Sequence, residues 1–181
     1  MRKALPFLLC AALLAGCRSY TWTSSVPEGM RTVSVPTFRN ETDVVELGAV
    51  AARQVLREFQ REGTFRIASS GEAALEVQGV LRSASVGMLN YKREMTARAY
   101  EHRFVVTADV SLVDRKSGRV LVDNRRYSAE TTFYSDTDIV TGRRNASGRL
   151  MEDLARQVVD DVVGRDWGGE GKSGKREEAR P

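Results

Sequence analysis

The chain has 181 residues, 41% of them hydrophobic, with 28 Lys and Arg against 24 Asp and Glu and a formal charge of +4. That is apolar material for one packed domain. The charges are mixed in sign along the chain, which excludes the single-sign basic field of a nucleic-acid binder.

The first seventeen residues form a unit. Arg2 and Lys3 supply a positive start, and residues 4–16 run apolar apart from Pro6. This run falls well short of the roughly 20 residues that span a bilayer. It has the layout of a secretory signal peptide. It ends in Leu14-Ala15-Gly16-Cys17, which matches the bacterial lipobox, with small residues where a protease needs close backbone access. The expectation is cleavage after residue 16 and diacylglycerol attachment to Cys17. Two or more acyl chains make such anchoring stable, at roughly 0.8 kcal/mol per buried CH₂. Cys10, the other cysteine, departs with the signal. No disulfide and no cysteine-based metal site is then expected. Arg2 and Lys3 also depart, leaving 26 basic residues against 24 acidic. Arg18 follows the cysteine where an inner-membrane retention signal would have Asp, so the expected site is the periplasmic face of the outer membrane.

Residues 17–29 read as a lipidated tether, short and polar. Residues 31–38 alternate, with Val33 and Val35 on one side, and predict a strand at an edge or ending at Pro36, which cannot donate to a ladder. Thr42 or Asp43 is the expected helix cap. Residues 44–61 carry Leu47, Ala51, Val55 and Phe59 in a helical stripe that Gly63 stops. Residues 64–68 predict a short strand.

Three long strands follow. In the first, Leu75, Val77 and Leu81 share a face, then Ala84, Val86 and Met88 do, so the phase flips near Arg82 and Ser83 and predicts a bulge. Residues 90–99, with Lys92, Arg93 and Arg98, read as an exposed strand tip. Residues 100–113 alternate throughout, from Tyr100 and His102 to Leu112. Residues 114–118 are a hairpin loop with Gly118 free to take a positive φ. The return strand, 119–134, slips in phase around Asp123 and Asn124. Residues 136–146 read as a polar loop and 149–163 as a second helix, with Leu150, Leu154, Val158 and Val162 at i, i+4 spacing. From Trp167 onward little can be buried, and residues 165–181 are expected to be a disordered tail.

The order β-α-β-β-β-β-α, with one apolar face per element, predicts an α+β two-layer sandwich: a mostly antiparallel four- to five-stranded sheet packed by two helices, over residues 30–164.

The residues from Ser25 to Thr42 carry a Pro-x-Gly, a strand, and Pro36-Thr37-Phe38-Arg39-Asn40-Glu41-Thr42. Together with Ala74-Leu75-Glu76-Val77-Gln78-Gly79-Val80-Leu81, the hairpin around Asp114-Arg115-Lys116-Ser117-Gly118 and the last helix, they resemble the LptE family of lipopolysaccharide-assembly lipoproteins. The resemblance runs over residues 17–164 in order. It implies a plug and assembly partner of the outer-membrane β-barrel LptD, in contact with lipopolysaccharide. Arg forks and Lys ammonium groups suit lipid A phosphates. Lys92, Arg93, Arg98 and Arg125 are the expected lipopolysaccharide contacts.

No catalytic residue, metal or cofactor is expected. His102 lies in phase with Tyr100 and Phe104 and reads as a half-buried strand residue. There is no nucleophile elbow and no phosphate loop. Asp136 and Asp138 would need a further ligand to hold a divalent ion, and none is near. Asp160-Asp161 reads as a solvated helix face. Two other partner classes stay open: a lipoprotein activator of a periplasmic cell-wall synthase, whose domains also begin with a strand, a Pro-Phe-x-Asn-x-Thr turn and a helix, and a structural envelope lipoprotein.

Overall fold

A computed structural model describes residues 26–90, 100–135 and 138–167. A 3₁₀ turn, Glu28–Met30, leads into β1 (Thr32–Ser34) and β2 (Arg39–Asn40). Then come α1 (Leu47–Glu62), β3 (Arg66–Ile67), β4 (Leu75–Asn90), β5 (Tyr100–Asp114), β6 (Val120–Ser135) and α2 (Ile139–Val163). The sheet has six strands in the order β3-β1-β4-β5-β6, with β2 pairing β4 as well. Two helices pack on one face, so the fold is the expected α+β two-layer arrangement.

The sheet is mixed rather than purely antiparallel. β4, β5 and β6 form the antiparallel meander, whereas β1–β3, β1–β4 and β2–β4 all pair in parallel. The cause is the connection. β1 reaches β3 through a whole helix, which returns the chain to the end it started from. Pro36 interrupts the first strand as expected: β1 pairs β4 at Leu75 and Glu76, and β2 resumes at Val80 and Leu81.

Phe38 explains why the chain must break there. It is 2% exposed and lies flat on Gly79 of β4, where a Cβ has no room. Its N–H donates to the Gly48 carbonyl of α1 at 3.3 Å, and its own carbonyl crowds Gly48. Asn40 then locks the turn. Its Oδ1 accepts from the Thr42 N–H (3.1 Å) and hydroxyl (2.8 Å), and its Nδ2 donates to the Val44 carbonyl at 2.8 Å. The Phe-x-Asn-x-Thr string is therefore a wedge and a turn.

The helix cap differs from expectation. Thr42 accepts from the Val44 N–H, but α1 begins three residues later behind Glu46, a non-glycine residue at φ 64. Gly63 ends α1 at φ 85, donating to the Phe59 carbonyl as predicted. Both expected strand irregularities are present. The register of β4 against β5 shifts between Leu81 and Ser83. β6 shifts twice opposite Val110 to Val113, with Asn124 at φ 42.

Three boundaries move. α2 begins at Ile139, ten residues before the expected start. The Asp138 side chain accepts from the Thr141 N–H at 3.0 Å, and the hydrogen bonds from Thr141 hold its carboxyl below the usual range. Gly142 lies within the helix because the Phe133 ring occupies the space of its Cβ. Val26, in the expected tether, is 3% exposed. Trp167, at the head of the expected disordered tail, is 1% exposed and tilts against Phe65 at 6.0 Å, which meets Phe59 edge-on at 5.6 Å. Its indole N–H donates to the Val162 carbonyl. Val26 and Trp167 thus both belong to the packed core.

Candidate docking and lipid-contact surface

The two helices lie side by side with their first turns at the same end of the molecule. Gln54 of α1 reaches the Gly148 carbonyl of α2, and Asp43, just before α1, pairs with Arg143 of α2 at 2.9 Å. Between these first turns lies a cleft of about 540 Å³, lined by Val44, Val45, Val50, Val140, Arg144 and other residues. β4 and β6 finish at this end too. Tyr100 pairs with Ser135 and Glu101 with Asn90.

Exposed apolar groups concentrate here. Val45 is 85% exposed and Tyr134 68%, joined by Met88, Leu89, Ile139 and Val140. Val120, at the hairpin end, is the one other large apolar residue exposed among the described residues, so six of the seven gather at this end, and such a grouping is a candidate contact surface. The polar-loop reading of residues 136–146 hid Ile139 and Val140, which sit on a helix start. Val45 directly precedes Glu46, whose backbone is left-handed at φ 64 where α1 begins. No sequence signal marks that residue.

The expected lipid contacts divide. Lys92, Arg93 and Arg98 lie outside the described residues. Arg125 is described. It pairs opposite Val110, ten residues down β5 from Tyr100, or roughly 33 Å at the usual strand rise. There Arg125 holds Asp161 of α2 at 2.6 Å, lies 6.0 Å from the Tyr127 ring centroid, and Tyr127 donates its hydroxyl to Asp161 at 2.7 Å. Burial, and then the Asp161 carboxylate, push the Tyr127 phenol up. Asp161 is therefore a sheet-to-helix tie rather than a solvated residue. Cys17 lies outside the described residues.

The sheet face away from the helices is ionic. Asp109 of β5, 6% exposed, accepts from Arg126 at 2.9 Å and from Arg82 at 2.8 Å, and Arg82 also pairs with Glu41 at 2.8 Å. The Arg126 guanidinium, followed by that of Arg82, holds the Asp109 carboxyl below the usual carboxylate range. His102 is buried on the helix side, its ring stacked on Phe133 at 5.2 Å. Asp138 is the α2 cap, and its expected partner Asp136 lies outside the described residues.

What the described residues assemble is a packed α+β domain with several exposed apolar side chains at one end. The chain belongs to the LptE family, whose model, described as lipopolysaccharide-assembly, matches residues 30–162. At family level it is a lipopolysaccharide-assembly lipoprotein, associated with the cell envelope, in a family that is non-enzymatic. Among solved structures, it is similar to a Xanthomonas campestris protein at 10% identity, covering 78% of this chain and 87% of that one with a TM-score of 0.51. That likeness supports the fold. A putative lipoprotein from Caulobacter crescentus aligns at 19% identity over 69% of this chain and 88% of that one, with a TM-score of 0.42. The PelC dodecamer from Paraburkholderia phytofirmans aligns at 18% identity over 72% and 90%, with a TM-score of 0.41. No curated protein matches. Among the described residues, no helix is long and apolar enough to cross a membrane.

Proposed function

We propose that the mature protein, cleaved after residue 16 and acylated on Cys17, sits on the periplasmic face of the outer membrane. There it acts as plug and assembly partner of an LptD-like β-barrel and contacts lipopolysaccharide in transit. The observation that carries this reading is the family match over residues 30–162. The open apolar end supports it, because a plug needs an exposed surface to seat against its barrel.

In this reading Lys92, Arg93 and Arg98 meet the lipid A phosphates. Arg125 has a second duty. Its charge already serves Asp161, so it meets lipid only by sharing its guanidinium between the two.

The test is lipopolysaccharide binding by a soluble form in which Cys17 is replaced by Ser. Reversing Lys92, Arg93 and Arg98 to Glu should weaken binding at least tenfold. Arg125→Gln should weaken it less and should also loosen α2 from the sheet. Unchanged binding in the triple variant overturns the lipid-contact assignment. The partner is tested separately, by crosslinking the lipidated protein in membranes. Capture of a cell-wall synthase supports the activator reading; capture of no barrel supports a structural lipoprotein.

A further inference from the structure

The described part of the chain begins at the hairpin end of the domain. Val26, its first residue, is buried, and the Val26 carbonyl accepts from the Arg31 guanidinium at 3.2 Å. The residues that follow stay at that end. The Thr32 hydroxyl accepts from the Ala74 N–H at 2.9 Å, Val33 pairs with Leu75, and Leu75 pairs with Asp114. Pro27, Gly29 and Met30 line one cleft of about 510 Å³ together with Ala74 and the hairpin residues Arg115 and Lys116.

Cys17 is nine residues ahead of Val26. A fully extended chain covers at most about 3.6 Å per residue, so Cys17 lies within roughly 32 Å of Val26. The domain is longer than that. β5 runs 15 residues, Tyr100–Asp114, or roughly 46 Å at the usual strand rise. The six exposed apolar residues gather at the Tyr100 end, the far one.

We propose that the protein stands on its membrane with the hairpin end toward the leaflet that takes the Cys17 acyl chains, and that the open apolar end is presented away from the lipid surface. Were the open end to rest on that leaflet with the domain upright, Val26 would stand roughly 46 Å above it, beyond the span of nine residues. A domain lying flat would set a long face on the lipid, and both long faces are charged. The open sheet face carries Asp109 between Arg82 and Arg126, and Arg103 paired with Glu130. The helix face exposes Arg53, Arg57, Glu152 and Arg156. The hairpin tip suits a headgroup layer better. Val120 is 50% exposed, with Lys116 and Arg119 exposed beside it, and Asp114 turns inward to take the Lys116 N–H and the Ser117 hydroxyl. Glu28 and Glu72, exposed at the same end, balance the two cations, so the length of the tether rather than a basic field sets the orientation. Exposed apolar groups on a membrane-anchored protein invite the reading of a bilayer-insertion patch. Held this far from the leaflet, the open end instead meets a partner that extends beyond the lipid surface.

This orientation rests on the acylation of Cys17 in the proposed function, and on neither the barrel nor lipopolysaccharide. The test uses the acylated, full-length mature chain in vesicles of phosphatidylethanolamine and phosphatidylglycerol. Acylation leaves the protein without a free thiol, so a single introduced Cys takes a maleimide dye. Val120→Cys and Lys116→Cys report the hairpin end, Val45→Cys and Val140→Cys the open end, all at exposed positions. Energy transfer from each to an acceptor on the lipid headgroups, with a short Förster distance, is the readout. Transfer from positions 120 and 116 should exceed that from 45 and 140 at least threefold. Equal transfer from the two ends, as from a domain lying flat, or stronger transfer from the open end would overturn the proposal. The parent chain separates the two readings. Dye on the parent would reveal a free Cys17 thiol and take down acylation and orientation together; with an unlabelled parent, the transfer alone decides the orientation.

Discussion

The two ends of this domain are finished in opposite ways. At the end where the helices finish, Phe59, Phe65 and Trp167 pack together, Gly63 closes α1, and Arg165 reaches across to the Leu121 carbonyl at 2.5 Å. The tight hairpin there is held by Asp114, which accepts from the Ser117 hydroxyl and from the Lys116 N–H. At the end where the helices start, Val45 and Val140 are exposed at a cleft, and Ile139, Met88 and Tyr134 are exposed as well. Both ends draw on the same residue types. At one end an aromatic cluster is covered and Val120 is the exposed exception; at the other, six large apolar side chains are left open. Stability should therefore depend on the closed end and partner binding on the open one.

The largest expected effect is at the closed end. Trp167→Ala removes a fully buried indole and should cost about 3–5 kcal/mol, read as a lowered urea midpoint. A chain stopped after Gly164 should lose as much, and one stopped after Trp167 should lose nothing. Equal stability of the two truncations would dissolve the contrast between the ends. Next comes the wedge between the layers. Gly79→Ala drives a methyl into the Phe38 ring and should cost about 1–3 kcal/mol in the same measurement. Tyr127→Phe, which deletes the hydroxyl given to Asp161, should cost about 1 kcal/mol. Val45→Ser and Met88→Ser should stay within about 0.5 kcal/mol of the parent while reducing capture of the membrane partner. A large stability loss in either would mean that the open end is part of the core.

Acid sharpens the contrast further. Asp109 is depressed chiefly by Arg126 and Asp114 chiefly by the Ser117 hydroxyl, both from a usual value of 3.8. A depressed carboxyl contributes stability that is present above the usual value and lost as pH falls through the folded one. The urea midpoint should therefore hold from pH 7 to about pH 4 and fall below it. Asp109→Asn should flatten part of that fall.

Much of this architecture is legible in the residues. The alternation from Tyr100 to Leu112 defines β5, and the flips after Leu81 and near Asn124 locate the register shifts, because a one-residue slip moves every following side chain to the other face. The parallel pairing of β1, β2 and β3 is not legible: two- and three-residue strands carry no periodicity, and their direction follows from the α1 crossover. Trp167 is a single aromatic before a glycine-rich, charged run, so only the pocket formed by Phe65 reveals its role. The first ten residues of α2 are masked by Gly142, Gly148 and two arginines, which dilute the apolar stripe. The open end includes that same misread segment and Val45, beside the left-handed Glu46.

The most direct measurement places a photo-crosslinking residue at Val140, on the open end, and another at Lys116, in the hairpin of the closed end, of the lipidated chain in outer membranes. The account predicts that position 140 captures a large lipopolysaccharide-transporting β-barrel and that position 116 does so at least several-fold less. Capture of a soluble cell-wall synthase at 140, or equal capture of the barrel from both ends, would contradict it.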